Sequence, residues 1–407
     1  MTGIQVVKNL QPHQGNRMPA MPPPSLLIPR NVSSVGVKMP PSIQLMVKRA
    51  YAHEASDIHI RVGHRPRFRI RGEIVIAKTC PQITPELLDI YLDEILSPAQ
   101  RKKFDETKEL DTAILYPGLV RCRVNCFDSL TGGAIVLRLI PLHIPSIEEL
   151  GLPQVLKNIV TKPQGLVLVT GPTGCGKSTT LAAMIRHINE TERKHIMTIE
   201  DPIEYVHFSR QCLVSQREVG LHTFEFHQAL RAVLREDPDV LLIGEMRDRT
   251  TVDTALQAAQ TGHLVFGTLH TRSAINSVNR LLNLYPPEEH NVMRVQIVES
   301  LVGVIAQVLV PTTDKKRLAV HDILINTPAM QDYLLKGNEE EAFGLMENDT
   351  TEGMQIMNQA IYEQAINGRF TIEDALKASP DPNELERMIR MGGMESGNLA
   401  RDWMMDR

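Results

Sequence analysis

Aromatic residues make up only 4% of the chain, and Trp403 is the single tryptophan. Base-stacking platforms, which need exposed rings, are therefore scarce. Cys80, Cys122, Cys126, Cys175 and Cys212 are the five cysteines, and none forms a C-x-x-C pair. That spacing excludes the two-pair zinc pattern and reads as five reduced thiols in a cytosolic protein. No uncharged run approaches the ~18–20 apolar residues of a membrane-spanning helix. The amino terminus also lacks the apolar core and cleavage site of a secretory signal. Acid is missing from the start of the chain: Glu54 is the first carboxylate. Residues 1–40 carry Lys8, Arg17, Arg30 and Lys38, so the net charge of -4 conceals a basic leader and a remainder at -8. A body this acidic argues against a protein built mainly to coat nucleic acid, and no nucleic-acid partner is expected.

What is present is ordinary globular material. The 407 residues are 42% hydrophobic and 23% charged, enough for two or three domains with real cores. Seven prolines (Pro12, Pro19, Pro22, Pro23, Pro24, Pro29 and Pro40) and an absence of periodicity mark residues 1–40 as a disordered leader. Its charge suits an acidic membrane or a partner, and a solvated leader without function fits as well. Order should begin near Ser42, which caps a helix carrying Ile43, Met46, Val47 and Ala50. Alternating strands and a helix opened by Thr84-Pro85 make residues 41–140 an α+β domain. Residues 141–151, with Pro141, Pro145 and Gly151, read as a linker. Beyond it, GLVLVT, HIMTIE, DVLLIG and HLVFGTL are apolar throughout, as strands buried on both faces of a parallel sheet must be. Residues from about 287 to 376 read as mostly helical, and 379–407 as a flexible tail.

Gly171-Pro172-Thr173-Gly174-Cys175-Gly176-Lys177-Ser178 matches G-x-x-x-x-G-K-[ST]. It follows LVLVT and opens the helical stretch KSTTLAAMIRHI, the context this motif requires. Glycines let backbone N–H groups curl around a phosphate, and the helix start adds positive dipole. Lys177 can then reach the β- and γ-phosphates and Ser178 can ligate Mg²⁺. A metal-side carboxylate is needed at the end of a neighbouring strand. DVLLIGEMRD supplies Glu245, which can hold Mg²⁺ through water. TIEDPIEY crowds Glu200, Asp201 and Glu204 past another strand end, and hydrolysis needs a carboxylate to deprotonate water. Chemistry alone does not rank these acids. His263 and His270 bracket the strand in TGHLVFGTLHT, which makes one of them a candidate phosphate sensor.

Together these stretches resemble the secretion ATPase superfamily, the hexameric motors of type II secretion and type IV pili, and within it the pilus retraction motors. LREDPDVLLIGEMRD (Leu234 to Asp248) is highly specific to that family. ASDIHI, GLVLVTGPTGCGKSTTLAAMI, TIEDPIEYVH, SQREVG and TGHLVFGTLHT occur in the family's order, so the resemblance spans about residues 42–376. It implies an α/β fold in which a RecA-like P-loop motor domain, residues 152–378, follows a small α+β PAS-like domain. It implies ATP and Mg²⁺ as cofactors. Glu204 then corresponds to the catalytic base of the family's Asp box and Glu245 to the Walker B acid beside Mg²⁺. His263 and His270 form its His box, with His270 nearer the γ-phosphate. Gly171 to Ser178, with Thr179 and His263, form the nucleotide-binding set. Arg121 and Arg123 match family arginines that approach the nucleotide from the first domain, with Arg138 a weaker candidate. Partners implied are five further copies in a homohexamer, an inner-membrane pilus platform protein and paralogous pilus ATPases. The protein would be cytoplasmic and peripheral at the inner membrane.

Many extension and secretion motors carry an extra amino-terminal domain and a four-cysteine insert; this sequence is expected to carry neither, which favours retraction. One departure stands against it. The family's AIRxG-like motif corresponds here to Ala329-Met330-Gln331-Asp332-Tyr333, with Gln331 in the arginine position. That keeps an accessory paralogue of the retraction motor, and an assembly or secretion ATPase, open as alternatives. A DNA translocase is disfavoured by the acidic body.

Overall fold

The computed structural model describes residues 40–349 and 352–396; the leader assigned to residues 1–40 lies almost wholly outside them. In the first domain α1 (Ile43–Ala52) starts where the Ser42 hydroxyl accepts the Leu45 N–H, and it buries Ile43, Met46, Val47 and Ala50. Strands β1 (Ala55–Arg61), β2 (Arg67–Ile70) and β3 (Glu73–Ile76) form a meander. Helices α2 (Pro85–Ile95) and α3 (Pro98–Thr107) follow. Thr84 caps the first, and a Ser97/Gln100 capping box fixes the second. Strands β4 (Glu109–Tyr116), β5 (Val120–Phe127) and β6 (Ala134–Pro141) complete an antiparallel sheet in the order β3-β2-β1-β6-β5-β4. Its core joins Ile58, Ile60, Tyr91, Cys122, Val124 and Leu137.

Residues 141–151, expected to be a linker, are pinned in place: Arg186 donates to the Ile144 carbonyl at 2.5 Å and pairs with Glu149, while Ile147 is buried with residues of the parallel sheet and its helices.

The second domain opens with α4 (Val155–Val160), β7 (Gly165–Thr170), α5 (Lys177–Thr191), β8 (His195–Glu200) and β9 (Leu213–Glu218). Next come α6 (Phe226–Val233), β10 (Val240–Ile243), α7 (Arg249–Gln260) and β11 (Leu264–Leu269). Helices α8 (Asn276–Leu282) and α9 (His290–Ser300) lead into β12 (Leu301–Pro311) and β13 (Arg317–Ile325). The seven strands pair in the order β13-β12-β7-β11-β10-β8-β9, all parallel except the β12–β13 pair. Every residue of β7, β10 and β11 is buried, as two-sided coverage by helices demands.

Five helices follow among the described residues: α10 (Pro328–Lys336), α11 (Glu339–Asn348), α12 (Met357–Ile366), α13 (Ile372–Ala378) and α14 (Pro382–Ser396). Two expectations are corrected here. The mostly helical stretch contains the β12–β13 hairpin, because its Val- and Ile-rich run finishes the sheet beside the P-loop strand. Part of the supposed tail is helical, because α14 buries Leu385 against Ile361 and Phe370.

Candidate nucleotide site

The site begins at the carboxyl end of β7. Gly171 has φ +139°, and a Cβ there would come within 2.3 Å of the Gln307 carbonyl oxygen and 2.7 Å of Cys175 Sγ. Only glycine lets the chain pass this point. Gly176, at φ +92°, then caps α5, whose first residue is Lys177. The Lys177 ammonium donates to the carbonyls of Gly171 (2.8 Å) and Pro172 (3.1 Å). The loop is propped from behind by Gln307 on β12, a fully buried side chain. Its amide donates to the Cys175 carbonyl at 2.7 Å, and its oxygen accepts the Thr180 hydroxyl at 2.8 Å.

Because β7, β8, β10 and β11 run parallel, their carboxyl ends meet on one side, where open α/β sheets bind ligands. A cavity of about 560 Å³ lies there. Thr173, Gly174, Gly176, Lys177, Ser178 and Thr179 form one wall. Glu200, Asp201, Glu204, Glu245 and His270 enter it from the other strand ends. Lys177, Ser178, Glu204, Glu245 and His270 thus face one volume. Gly171, Pro172 and Cys175 shape the loop behind it.

The acids differ in their surroundings. Glu200 is tied to the Thr198 hydroxyl at 2.7 Å and the Gln216 amide at 3.1 Å, and burial pushes its carboxyl above the usual range. Glu245 is engaged on both oxygens, by Arg247 at 2.5 Å and His270 Nε2 at 3.0 Å. The Arg247 hydrogen bond chiefly holds its carboxyl below the usual range, so it is ionised at neutral pH. Glu204 is exposed, and no hydrogen bond of its carboxylate to the described residues is seen. His207, buried at the cavity edge, is pushed down to about 4 by desolvation and is a neutral imidazole.

Four assignments fall elsewhere. His263 is at the amino end of β11, the strand's full length from His270, with Nδ1 2.9 Å from the Ala258 carbonyl. It does not line the cavity, because strand polarity puts it on the opposite edge of the sheet. Arg123 is exposed on β5 and outside the cavity. Arg138 donates to Asp57 at 2.9 Å within its own domain. Arg121 is buried against the second domain, donating to Glu218 and, at 2.7 Å, to the Ile203 carbonyl.

The family model for type II/IV secretion system proteins matches residues 37–395. The chain belongs to that family. It is 42% identical over 328 residues to the type IV pilus retractation ATPase PilT of Pseudomonas aeruginosa, covering 81% of this chain and 95% of that one. It is 40% identical over 351 residues to the type IV pilus ATPase PilU of the same organism, covering 86% and 91%. A crystal structure of the pilus retraction motor PilT with bound ADP superposes with a TM-score of 0.80 at 43% identity, over 85% of this chain and 99% of that one.

Membership in the secretion family accounts for the motifs, but not for every residue at the site. Sequence reasoning missed Arg247, Arg317, Tyr205 and His207 on the cavity wall, and Gln307 behind it. Tyr205 and His207 lie inside TIEDPIEYVH and Arg247 inside GEMRD, so their motifs already marked them. Arg317 and Gln307 carry no local signal.

Proposed function

We propose that this chain is a Mg²⁺-dependent ATPase that powers type IV pilus retraction. It acts as a homohexamer at the cytoplasmic face of the inner membrane, against a platform protein of the pilus machine. The convergence of the Lys177 loop, Glu204, Glu245 and His270 on one cavity supports the hydrolytic half of this reading. The near full-length likeness to a retraction ATPase supports the direction of work. Among the described residues no helix is long and apolar enough to cross a membrane.

In this reading the loop N–H groups and Lys177 hold the β- and γ-phosphates. Glu204, free to face the attacking water, accepts its proton. His270 and Arg247, both at the cavity and both bonded to Glu245, keep that carboxylate aimed, and the Arg247 guanidinium adds positive charge near the γ-phosphate. Among the described residues no cluster of three or more His, Cys, Asp or Glu forms a protein cage for a metal. That suits Mg²⁺, which is held through substrate phosphates, water and few side chains. Ser178 and Glu245 are the residues that would hold it, and it would neutralise charge on the phosphates.

Purified Lys177→Ala should lose turnover while remaining folded; wild-type turnover would overturn the site assignment. A deletion strain scored for pili and motility tests the direction. Piliated but immobile cells support retraction, and bald cells identify an assembly motor. A second reading is an accessory partner of a principal retraction motor. Gln331 on α10, where the family's motif has arginine, favours it. Unaltered motility in the deletion strain, with ATPase activity dependent on a paralogue, would decide for it.

A further inference from the structure

The loop between β8 and β9 carries Glu204, and its backbone is held at three alternate residues. All three are held from β9, where Gln216 and Glu218 share one face. The Gln216 amide donates to the Tyr205 carbonyl at 2.9 Å, and its oxygen accepts the His207 N–H at 2.7 Å. One Glu218 oxygen accepts the Ile203 N–H at 3.1 Å. A further hold on Ile203 crosses from the first domain. Arg121, on β5, donates to the Ile203 carbonyl at 2.7 Å and to that same Glu218 oxygen. Both peptide groups of the residue next to Glu204 are thus taken by one Arg–Glu pair.

The pair is almost wholly sealed, with side chains 8% and 6% exposed. A buried guanidinium and carboxylate carry a large desolvation penalty and are poor sources of stability. What they supply well is direction, because the planar fork fixes two acceptors at once. Here those acceptors are the Glu204 loop and the strand that frames it. Glu218 belongs to SQREVG.

We infer that Arg121 is a positioning residue for Glu204: through Ile203 and Glu218, the placement of the first domain sets the aim of the general base. Movement of the first domain away from the second withdraws the Arg121 fork, frees the 201–207 loop and switches hydrolysis off without touching the phosphate loop. Arg121 therefore acts on water activation and not on the phosphates. This rests on Glu204 being the base.

The test is steady-state kinetics on the full-length protein with Arg121→Gln, Arg121→Lys, Glu218→Gln, Glu204→Gln and the Arg121→Gln/Glu204→Gln pair. Circular dichroism and oligomer size check each fold, and ADP affinity is read by fluorescence. Misplacing a catalytic group by an ångström costs up to about 10²-fold, so Arg121→Gln should lower kcat roughly ten- to a hundredfold. KM for ATP and ADP affinity should hold. Arg121→Lys, which keeps one donor and the charge, should recover part of kcat. In the pair, Arg121→Gln should add nothing to the loss from Glu204→Gln, since both act on one step. Multiplying losses, or weakened ADP binding by Arg121→Gln, would overturn the inference and make Arg121 a phosphate-side group. If Arg121→Gln fails to fold, Glu218→Gln takes its place in the cycle: it keeps an acceptor for Ile203 and should show the same non-additivity. Full activity in Glu204→Gln alone would instead refute the assignment of the base.

Discussion

Gln307 offers the sharpest test of how the phosphate loop keeps its shape. Gln307→Met preserves length and apolar volume but removes both polar contacts. The Cys175 carbonyl and the Thr180 hydroxyl are then left without the partners seen in the structure. An orphaned buried polar group costs about 1–3 kcal/mol, so the two together cost about 2–6 kcal/mol. Thr180 lies in the first turn of α5 and can turn its hydroxyl back to a carbonyl of the preceding turn, which trims the sum to about 2–4 kcal/mol. For a domain of this size, 1 kcal/mol lowers the melting temperature by about 2–4 °C, so the expected drop is about 4–16 °C. The assay is thermal denaturation with and without ADP. The ADP-induced rise should also shrink, because a slack loop binds phosphate less tightly. A second substitution makes the argument specific. Thr180→Val should destabilise the wild type by orphaning the Gln307 oxygen, yet cost little or nothing in Gln307→Met. A Gln307→Met protein that melts and binds ADP as wild type does would refute the idea that this side chain braces the loop.

Other consequences follow from single residues. Gly171→Ala would press a methyl group into the Gln307 carbonyl at a φ that alanine rarely adopts. Strain of about 1–3 kcal/mol before any clash should reduce soluble yield and abolish ADP-induced stabilisation. Arg247→Met removes the main cause of the lowered Glu245 pKa. A lowered carboxylate keeps its charge as pH falls, so the variant should lose activity earlier on the acid side, moving the acid limb of the rate profile upward. Asp322, buried on β13 with one oxygen accepting the Ala274 N–H at 2.9 Å, has its carboxyl pushed up to about 6 by desolvation. Its protonated form is the one the fold favours, so stability is lost as pH rises from about 4 through about 6. Asp322→Asn should flatten that part of the melting-temperature profile relative to wild type; parallel profiles would show that Asp322 does not titrate there.

Legibility of the sequence followed the range of the interactions. The phosphate loop was readable because eight consecutive residues carry its whole mechanism, and strand and helix flank it directly. The parallel strands were readable because burial on both faces writes an unbroken apolar run. The same signal failed for β12, where such a run sits among helices and length alone does not separate the two states. α14 was missed because it shows a short amphipathic face in a Met- and Gly-rich segment. For His263 the information was there: a residue preceding a parallel strand lies on the edge away from ligands. Arg121 could not be placed, since its acceptors lie 82 and 97 residues away and in another domain.

The Gln307–Cys175 contact also has a consequence in time. The two residues are separated by 132 positions. At about 5–20 residues per second, the ribosome delivers Gln307 roughly 7–26 s after the loop it braces. A nascent chain thus carries a finished nucleotide motif long before it has the wall behind it. A chain truncated before Leu301 would display the motif without the strand that braces it.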